Sequence, residues 1–252
     1  MNADPGGLQG RVVLVTGASR GLGASIARGL ADRGASVVAA ARSLDGLAVV
    51  VAHRPDLMSA EQADMRDLDR LEDLVDRVVA RHGHLDVLIN NAGIALAGRY
   101  ADQDPHVWRE TLNINVLAPM VLSQAAGRHF VAQKSGKIIN VASTTGVRGK
   151  PLLVAYSASK GALVRMTEAL AAEWARHGVQ VNVVAPGAFA TDAQSAVLES
   201  PELLQRRVRK IPAGRIADPG EIVPLVCLLA SPDSDYITGS VFVIDGGEAG
   251  KL

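Results

Sequence analysis

The chain has 252 residues, 48% of them apolar, which is enough for one large domain with a substantial core and excludes disorder as its main state. Lys plus Arg equals Asp plus Glu at 26 each, so composition gives no support to a nucleic-acid or membrane-surface role. Cys227 is the single cysteine, which excludes an internal disulfide and a cysteine metal cluster.

The segment Met1–Gly10 has no apolar core of a targeting signal, and no uncharged apolar run is long enough to span a bilayer. The expected location is therefore the cytoplasm. Arg11–Thr16 reads as a strand and Ser19–Arg33 as a helix. Between them, Thr16-Gly-Ala-Ser-Arg-Gly-Leu-Gly23 supplies Gly17, Gly21 and Gly23. Glycine allows a tight turn and a close backbone approach to a pyrophosphate, which the N-terminus of the following helix attracts. The spacing is G-x3-G-x-G, not the commoner G-x-G-x-x-G. The same residues also fit Gly-x-Ser-x-Gly around Ser19, a hydrolase nucleophile pattern. That reading needs a later histidine at the carboxyl edge of the sheet. The last histidine, His177, ends a helix ahead of a strand and falls at the opposite edge, which argues against a hydrolase.

Ser36–Ala40 is a second strand. A site for NAD usually ends that strand with an acid that binds the ribose hydroxyls. Here the positions are Ala41 and Arg42, with Arg20 close by in the glycine turn. Two guanidiniums and no carboxylate suit a 2′-phosphate. The expected cofactor is NADP(H), with NAD(H) as the alternative. Asp45 reads as a helix-start residue. Asp67–Arg81 carries Leu68, Leu71, Leu74, Val75, Val78 and Val79 at helical spacing. His82 and His84 read as turn residues, and no metal site is expected. Leu85–Ile89 is a strand leading into Asn90-Asn91-Ala92-Gly93.

Pro105–Ala132 reads as one long helix, with Asn115 inside it, where asparagine competes for backbone hydrogen bonds. Lys137–Ala142 is a strand, and Ser143 follows at its carboxyl end, placed to donate to a substrate oxygen. A helix around Val154–His177 begins with Tyr156 and Lys160, four residues apart on one face. A phenol has a pKa of about 10 and is a poor base at neutral pH, but a neighbouring ammonium favours the phenolate. Lowering that pKa by about three units corresponds to about 4 kcal/mol. Val179–Val184 is a strand followed by Pro186-Gly187, and Gly187–Gly214 reads as a helical insertion or lid. Asp218 caps a helix from Pro219 with Glu221 completing a capping box, and Pro224 predicts a kink within it. Val241–Ile244 is the last strand. The context of Cys227 is apolar, so its thiol is expected in the core. Continuous apolar strands alternating with helices predict a doubly wound sheet covered on both faces.

In this order, the turn Thr16–Gly23, Asp64, Asn90–Gly93, Asn115, Ser143, Tyr156-x-x-x-Lys160, Asn182, Pro186-Gly187, Thr191 and Asp245-Gly-Gly247 resemble the short-chain dehydrogenase/reductase family over essentially the full chain. The resemblance implies an α/β, doubly wound Rossmann fold. Its mostly parallel seven-stranded sheet would have helices on both faces, in a single domain over residues 1–252 with a helical substrate lid at about 188–212. It implies Asn115, Ser143, Tyr156 and Lys160 as catalytic residues. Tyr156 would exchange the proton, Lys160 hold the nicotinamide ribose and lower the tyrosine pKa, Ser143 orient the substrate oxygen, and Asn115 hold a water. The implied cofactor residues are Gly17, Ser19, Arg20, Gly21, Leu22, Gly23, Arg42, Asp64 and Met65, then Asn91, Ala92, Gly93, Tyr156, Lys160, Pro186, Gly187, Phe189 and Thr191.

The expected reaction moves a hydride between NADP(H) and a secondary alcohol or ketone. Glu173–Gly178, Pro186–Thr191 and Pro212–Arg215 resemble sugar-acid dehydrogenases of the gluconate 5-dehydrogenase type. Ala188 stands where those enzymes carry a larger aromatic, which implies a roomier pocket. The alternatives are 3-oxoacyl-carrier-protein reduction and a non-catalytic NADP-sensing regulator. The expected partners are a small-molecule substrate and other copies of the chain, in a homotetramer or homodimer.

Overall fold

The computed structural model describes residues 7–250; Met1–Gly6 and Lys251–Leu252, parts of the predicted start and domain bounds, lie outside them. Seven parallel strands form one sheet: β1 Val12–Thr16, β2 Ser36–Ala41, β3 Met58–Gln62, β4 Val87–Asn90, β5 Gly136–Val141, β6 Val179–Pro186 and β7 Val241–Ile244, in the order β3-β2-β1-β4-β5-β6-β7. The helices are α1 Gly21–Ala31, α2 Leu44–Val51, α3 Leu71–His82, α4 Pro105–Leu112, α5 Ala118–Gln133, α6 Thr144–Val147, α7 Val154–Trp174, α8 Ser195–Leu198, α9 Pro201–Val208 and α10 Val223–Ala230.

Side chains alternate across a strand, and both faces of this sheet are buried. Val13 and Val15 pack with Ile26 and Leu30 of α1 and with Val226 and Leu229 of α10. Val12 and Leu14 point the other way, to Leu74 and Val75 of α3 and Leu122 and Phe130 of α5. That two-sided burial is why β1, β2 and β4 read as apolar runs. Cys227 is in the first of these cores, as expected, and burial pushes its thiol up to about 11.

Four features depart from the sequence reading. The edge strand β3 was not anticipated: it reads Met-Ser-Ala-Glu-Gln, pairs only with β2, and lacks the apolar signature. Helix α2, not read as an element beyond Asp45, does start there as that residue suggested: Ser43 caps it by accepting from Gly46 N, with Asp45 in the first turn. The predicted single helix Pro105–Ala132 is two helices joined by a π-helical turn, Asn113–Leu117. The helix expected from Pro219 starts with the capping box of Asp218 and Glu221, but it is a 3-10 turn, Pro219–Ile222, running into α10. Pro224 therefore falls in the first turn of α10, where a missing N–H costs little, rather than inside a kinked helix.

Candidate active site

The strand order reverses direction between β1 and β4, and a doubly wound sheet opens a crevice at the carboxyl ends flanking such a point. The glycine turn stands on one side of it. Gly17 and Gly21 have φ of +64° and +56°, a region that L side chains rarely enter. A Cβ on Gly23 would lie 2.3 Å from Gly17 O and 2.4 Å from Asn91 Nδ2, so only glycine fits there. Helix α1 begins with no side-chain cap and no acid in its first turn, which leaves its N–H groups and dipole facing the crevice.

The residues after β4 complete this wall. Thr16 Oγ1 accepts from Asn91 N and Ala92 N, both at 3.1 Å, and Asn91 Nδ2 donates to Thr16 O at 2.9 Å. Asn91 thus ties β4 to the glycine turn with its side chain. Arg42 is exposed at the end of β2, and its guanidinium makes no ion pair among the described residues. Arg20 is exposed and lies 3.6 Å from Asp192, while Thr191 sits 3.6 Å from where a Cβ on Gly21 would be. The segment after β6 therefore closes over the turn. Ser19 lies against the start of α2, 3.0 Å from where a Cβ on Gly46 would be. Asp64 accepts from Arg66 N at 3.0 Å, and Arg66 also binds Glu110. Leu22, Met65 and Phe189 pack into the two cores, Phe189 pairing its backbone with Ala217. Pro186 ends β6, and Gly187 N donates to Ile244 O at 2.9 Å.

The polar side chains converge on the next stretch of the same edge. Ser143 follows β5 and caps α6, accepting from Thr145 N at 3.2 Å. Its hydroxyl faces the Tyr156 phenol and favours its ionised form. Lys160 is 3% exposed; its Nζ donates to Val141 O at 2.8 Å and lies 5.8 Å from the centroid of the Tyr156 ring. Asn115 sits in the π-helical turn, fully buried. Its Nδ2 donates to Ile94 O at 2.9 Å and Ser159 Oγ at 3.0 Å, and its Oδ1 accepts from Ile94 N at 2.9 Å. A Cβ on Gly93 would be 3.2 Å from Asn115 Oδ1 and 3.3 Å from Lys160 Nζ. Gly93 is the point at which these two groups meet the cofactor wall.

One expectation needs correction. Burial pushes the Tyr156 phenol above its ordinary value, and the hydrogen bond to Ser143 opposes this. The Lys160 ammonium, which burial pulls down to about 8, lies 5.8 Å from the centroid of the Tyr156 ring and gives its hydrogen bond to Val141 O, not to the phenol. A desolvated phenolate is favoured by a nearby cation that offsets the loss of water.

Sequence reasoning missed Ser159. It is fully buried, donates to Tyr156 O at 2.7 Å, and joins Asn115 to α7. Its one signal was its position three residues after Tyr156, on the same helical face. Also missed was the buried chain from Ser123 and Asn90 through Asn140 to Thr167, which bridges β4, β5 and α7 below the site. His84, read as a turn residue, binds Gly10 O and Asp86.

The family model described as enoyl-(acyl carrier protein) reductase matches residues 17–248. The 2-dehydro-3-deoxy-D-gluconate 5-dehydrogenase of Escherichia coli (strain K12) is 36% identical over 243 residues, covering 95% of this chain and 96% of its own length. The 3-oxoacyl-[acyl-carrier-protein] reductase of Vibrio harveyi is 35% identical over 240 residues, covering 95% and 98%. Among solved structures, a gluconate 5-dehydrogenase from Burkholderia cenocepacia J2315 in complex with NADP and tartrate matches with a TM-score of 0.94 at 32% identity, covering 99% of each chain.

Proposed function

This chain belongs to the short-chain dehydrogenase/reductase family, and on that premise we propose that Tyr156 exchanges a proton with the oxygen of a sugar-acid substrate at a carbon that interconverts between CH–OH and C=O. The protein is an NADP(H)-dependent oxidoreductase. The observation that carries the assignment of roles is the meeting of Ser143, Tyr156, Lys160 and Asn115 beside a glycine turn that no larger residue could form.

The residues present fit a phosphorylated dinucleotide. The turn of Gly17, Gly21 and Gly23 is a cradle that a Cβ would fill, and the start of α1 carries no competing acid. Arg42 and Arg20 would meet the 2′-phosphate, Asp64 and Met65 the adenine, and Asn91, Ala92 and Gly93 the adenosine ribose side. Pro186, Gly187, Phe189 and Thr191 would border the nicotinamide. When bound, the cofactor supplies or accepts the hydride. A cationic oxidised nicotinamide bound beside Tyr156 would favour its phenolate form.

The remaining steps belong to side chains. Ser143 Oγ accepts from Thr145 N, so its hydroxyl proton is free to point at Tyr156 Oη or at the substrate oxygen. Tyr156 moves the proton at that oxygen. Lys160, held by Val141 O, keeps a cation behind the phenol. Asn115 fixes the Ile94 backbone and, through Ser159, the start of α7. The segment 188–212 acts as the lid over the substrate. A homotetramer or homodimer is part of this reading, supported by Leu112, Leu117 and Met120 exposed along α4 and α5. So is a cytoplasmic location; among the described residues no helix is long and apolar enough to cross a membrane.

The sugar-acid assignment draws on the Escherichia coli and Burkholderia relatives. The Vibrio relative favours 3-oxoacyl reduction as a second reading. Purified protein with NADPH, followed by absorbance on 5-keto-D-gluconate and on a 3-oxoacyl thioester, separates the two. Turnover of the keto acid with a higher kcat/KM supports the first. Preference for the thioester would replace it with the second.

A further inference from the structure

The two guanidiniums assigned to the 2′-phosphate are not equivalent. Arg42, exposed at the end of β2, makes no ion pair among the described residues. Arg20 Nη1 lies 3.6 Å from Asp192 Oδ2, a carboxylate in the segment proposed as the lid. These side chains are 75% and 65% exposed, so the pair is open to exchange with an incoming anion. Exposed ion pairs are weak, whereas a phosphate offers a guanidinium two parallel charge-assisted hydrogen bonds.

The backbone brings the two residues together. Arg20 precedes α1 in an extended conformation, and its carbonyl accepts from Ala24 N at 3.2 Å. On the other side, Asp192 opens a 3-10 turn, Asp192–Gln194. That turn is pinned at its base. Ala190 N donates to Ala217 O, Thr191 N to Phe189 O, and Gln194 N to Thr191 O, each at 2.8 Å. Thr191 packs against the glycine turn itself, with its Cβ and Cγ2 3.6 Å from where a Cβ on Gly21 would be. The fold therefore holds the Asp192 carboxylate beside the phosphate-binding turn.

We infer that Asp192 sets how strongly the chain prefers a phosphorylated dinucleotide, because it competes with the 2′-phosphate for Arg20. This rests on the cofactor reading above, which gives Arg20 and Arg42 to that phosphate. It adds a specificity-determining residue from outside the cofactor set, an acid carried by the first turn of the lid. The carboxylate occupies one of the two guanidiniums and repels the phosphate, and both effects act in the same direction. A dinucleotide without the phosphate does not draw on Arg20 and is indifferent to the pair.

Fluorescence titration with NADPH and with NADH tests this, with Asp192→Asn added to the parent, to Arg20→Ala and to Arg42→Ala. Asparagine keeps the shape of the side chain and removes its charge. In the parent background Asp192→Asn should tighten NADPH binding about twofold to fivefold, the range of one exposed ion pair, with NADH affinity unchanged. The gain should persist in Arg42→Ala and vanish in Arg20→Ala, as coupling between one pair of residues requires. No gain, a gain shared equally by NADH, or a gain that survives Arg20→Ala would overturn the inference. Equal affinity of the parent for the two cofactors would count against the NADP(H) reading alone. A gain selective for NADPH and dependent on Arg20 would then still sustain the role of Asp192. A parent that binds neither cofactor would overturn both.

Discussion

Lys160→Met should make the protein inactive and, at neutral pH, more stable. The lysine is almost fully buried, and burial alone lowers its ammonium from the ordinary 10.5 to about 8. That change corresponds to about 3 kcal/mol by which the folded state disfavours the charged form. Methionine keeps the apolar stem and removes the charge, at the loss of one hydrogen bond to Val141 O worth about 1 kcal/mol. The net expectation at pH 7 is a gain of about 2 kcal/mol. The pH dependence carries the sharper test. Between about 8 and 10.5 the unfolded parent holds a proton on this residue that the folded parent has released. The parent's stability therefore rises with pH across that window. Below pH 8 the penalty is present in full, and above 10.5 it is gone. The difference between variant and parent should shrink across the same window. Urea unfolding followed by circular dichroism at fixed protein concentration, without added dinucleotide, measures it. A variant less stable than the parent at pH 7, or a difference that does not change between pH 8 and 10.5, would refute the reasoning.

Further outcomes follow from other residues. Arg42→Ala should weaken NADPH binding by about tenfold or more, the scale of a charge-assisted contact, and leave NADH binding nearly unchanged. Ala41→Asp should shift preference toward NADH by repelling the 2′-phosphate; fluorescence titration with both cofactors reads both variants, and equal affinity of the parent for the two would defeat the assignment. Ser159→Ala removes a partner of the buried Asn115 amide and should cost about 1–2 kcal/mol of stability, seen in urea unfolding. An unchanged midpoint would show that Asn115 does not depend on it.

The central strands and the site motifs were legible for the same reason. Strands buried on both faces cannot alternate strictly, so β1 and β4 stand out as apolar runs, while β5 and β6 stay mostly apolar around Lys137, Asn140, Gln180 and Asn182. Edge strand β3 has a single neighbour and no such constraint. The π-helical turn at Asn113–Leu117 leaves no mark in a periodicity that passes through it, although the asparagine there was already noted as out of place. The direction of the Tyr156 shift was not legible because it depends on burial and on where Lys160 Nζ points. Spacing of four residues establishes a shared face, not a hydrogen-bond partner.

The central claim is that one phenol moves the proton while the hydride is transferred. Tyr156→Phe removes the hydroxyl and keeps the ring. Turnover of the best substrate should fall by about 10² to 10⁴, the usual contribution of a general acid or base, with NADPH still bound at the parent's affinity. A Tyr156→Phe protein that turns over as fast as the parent would contradict the account.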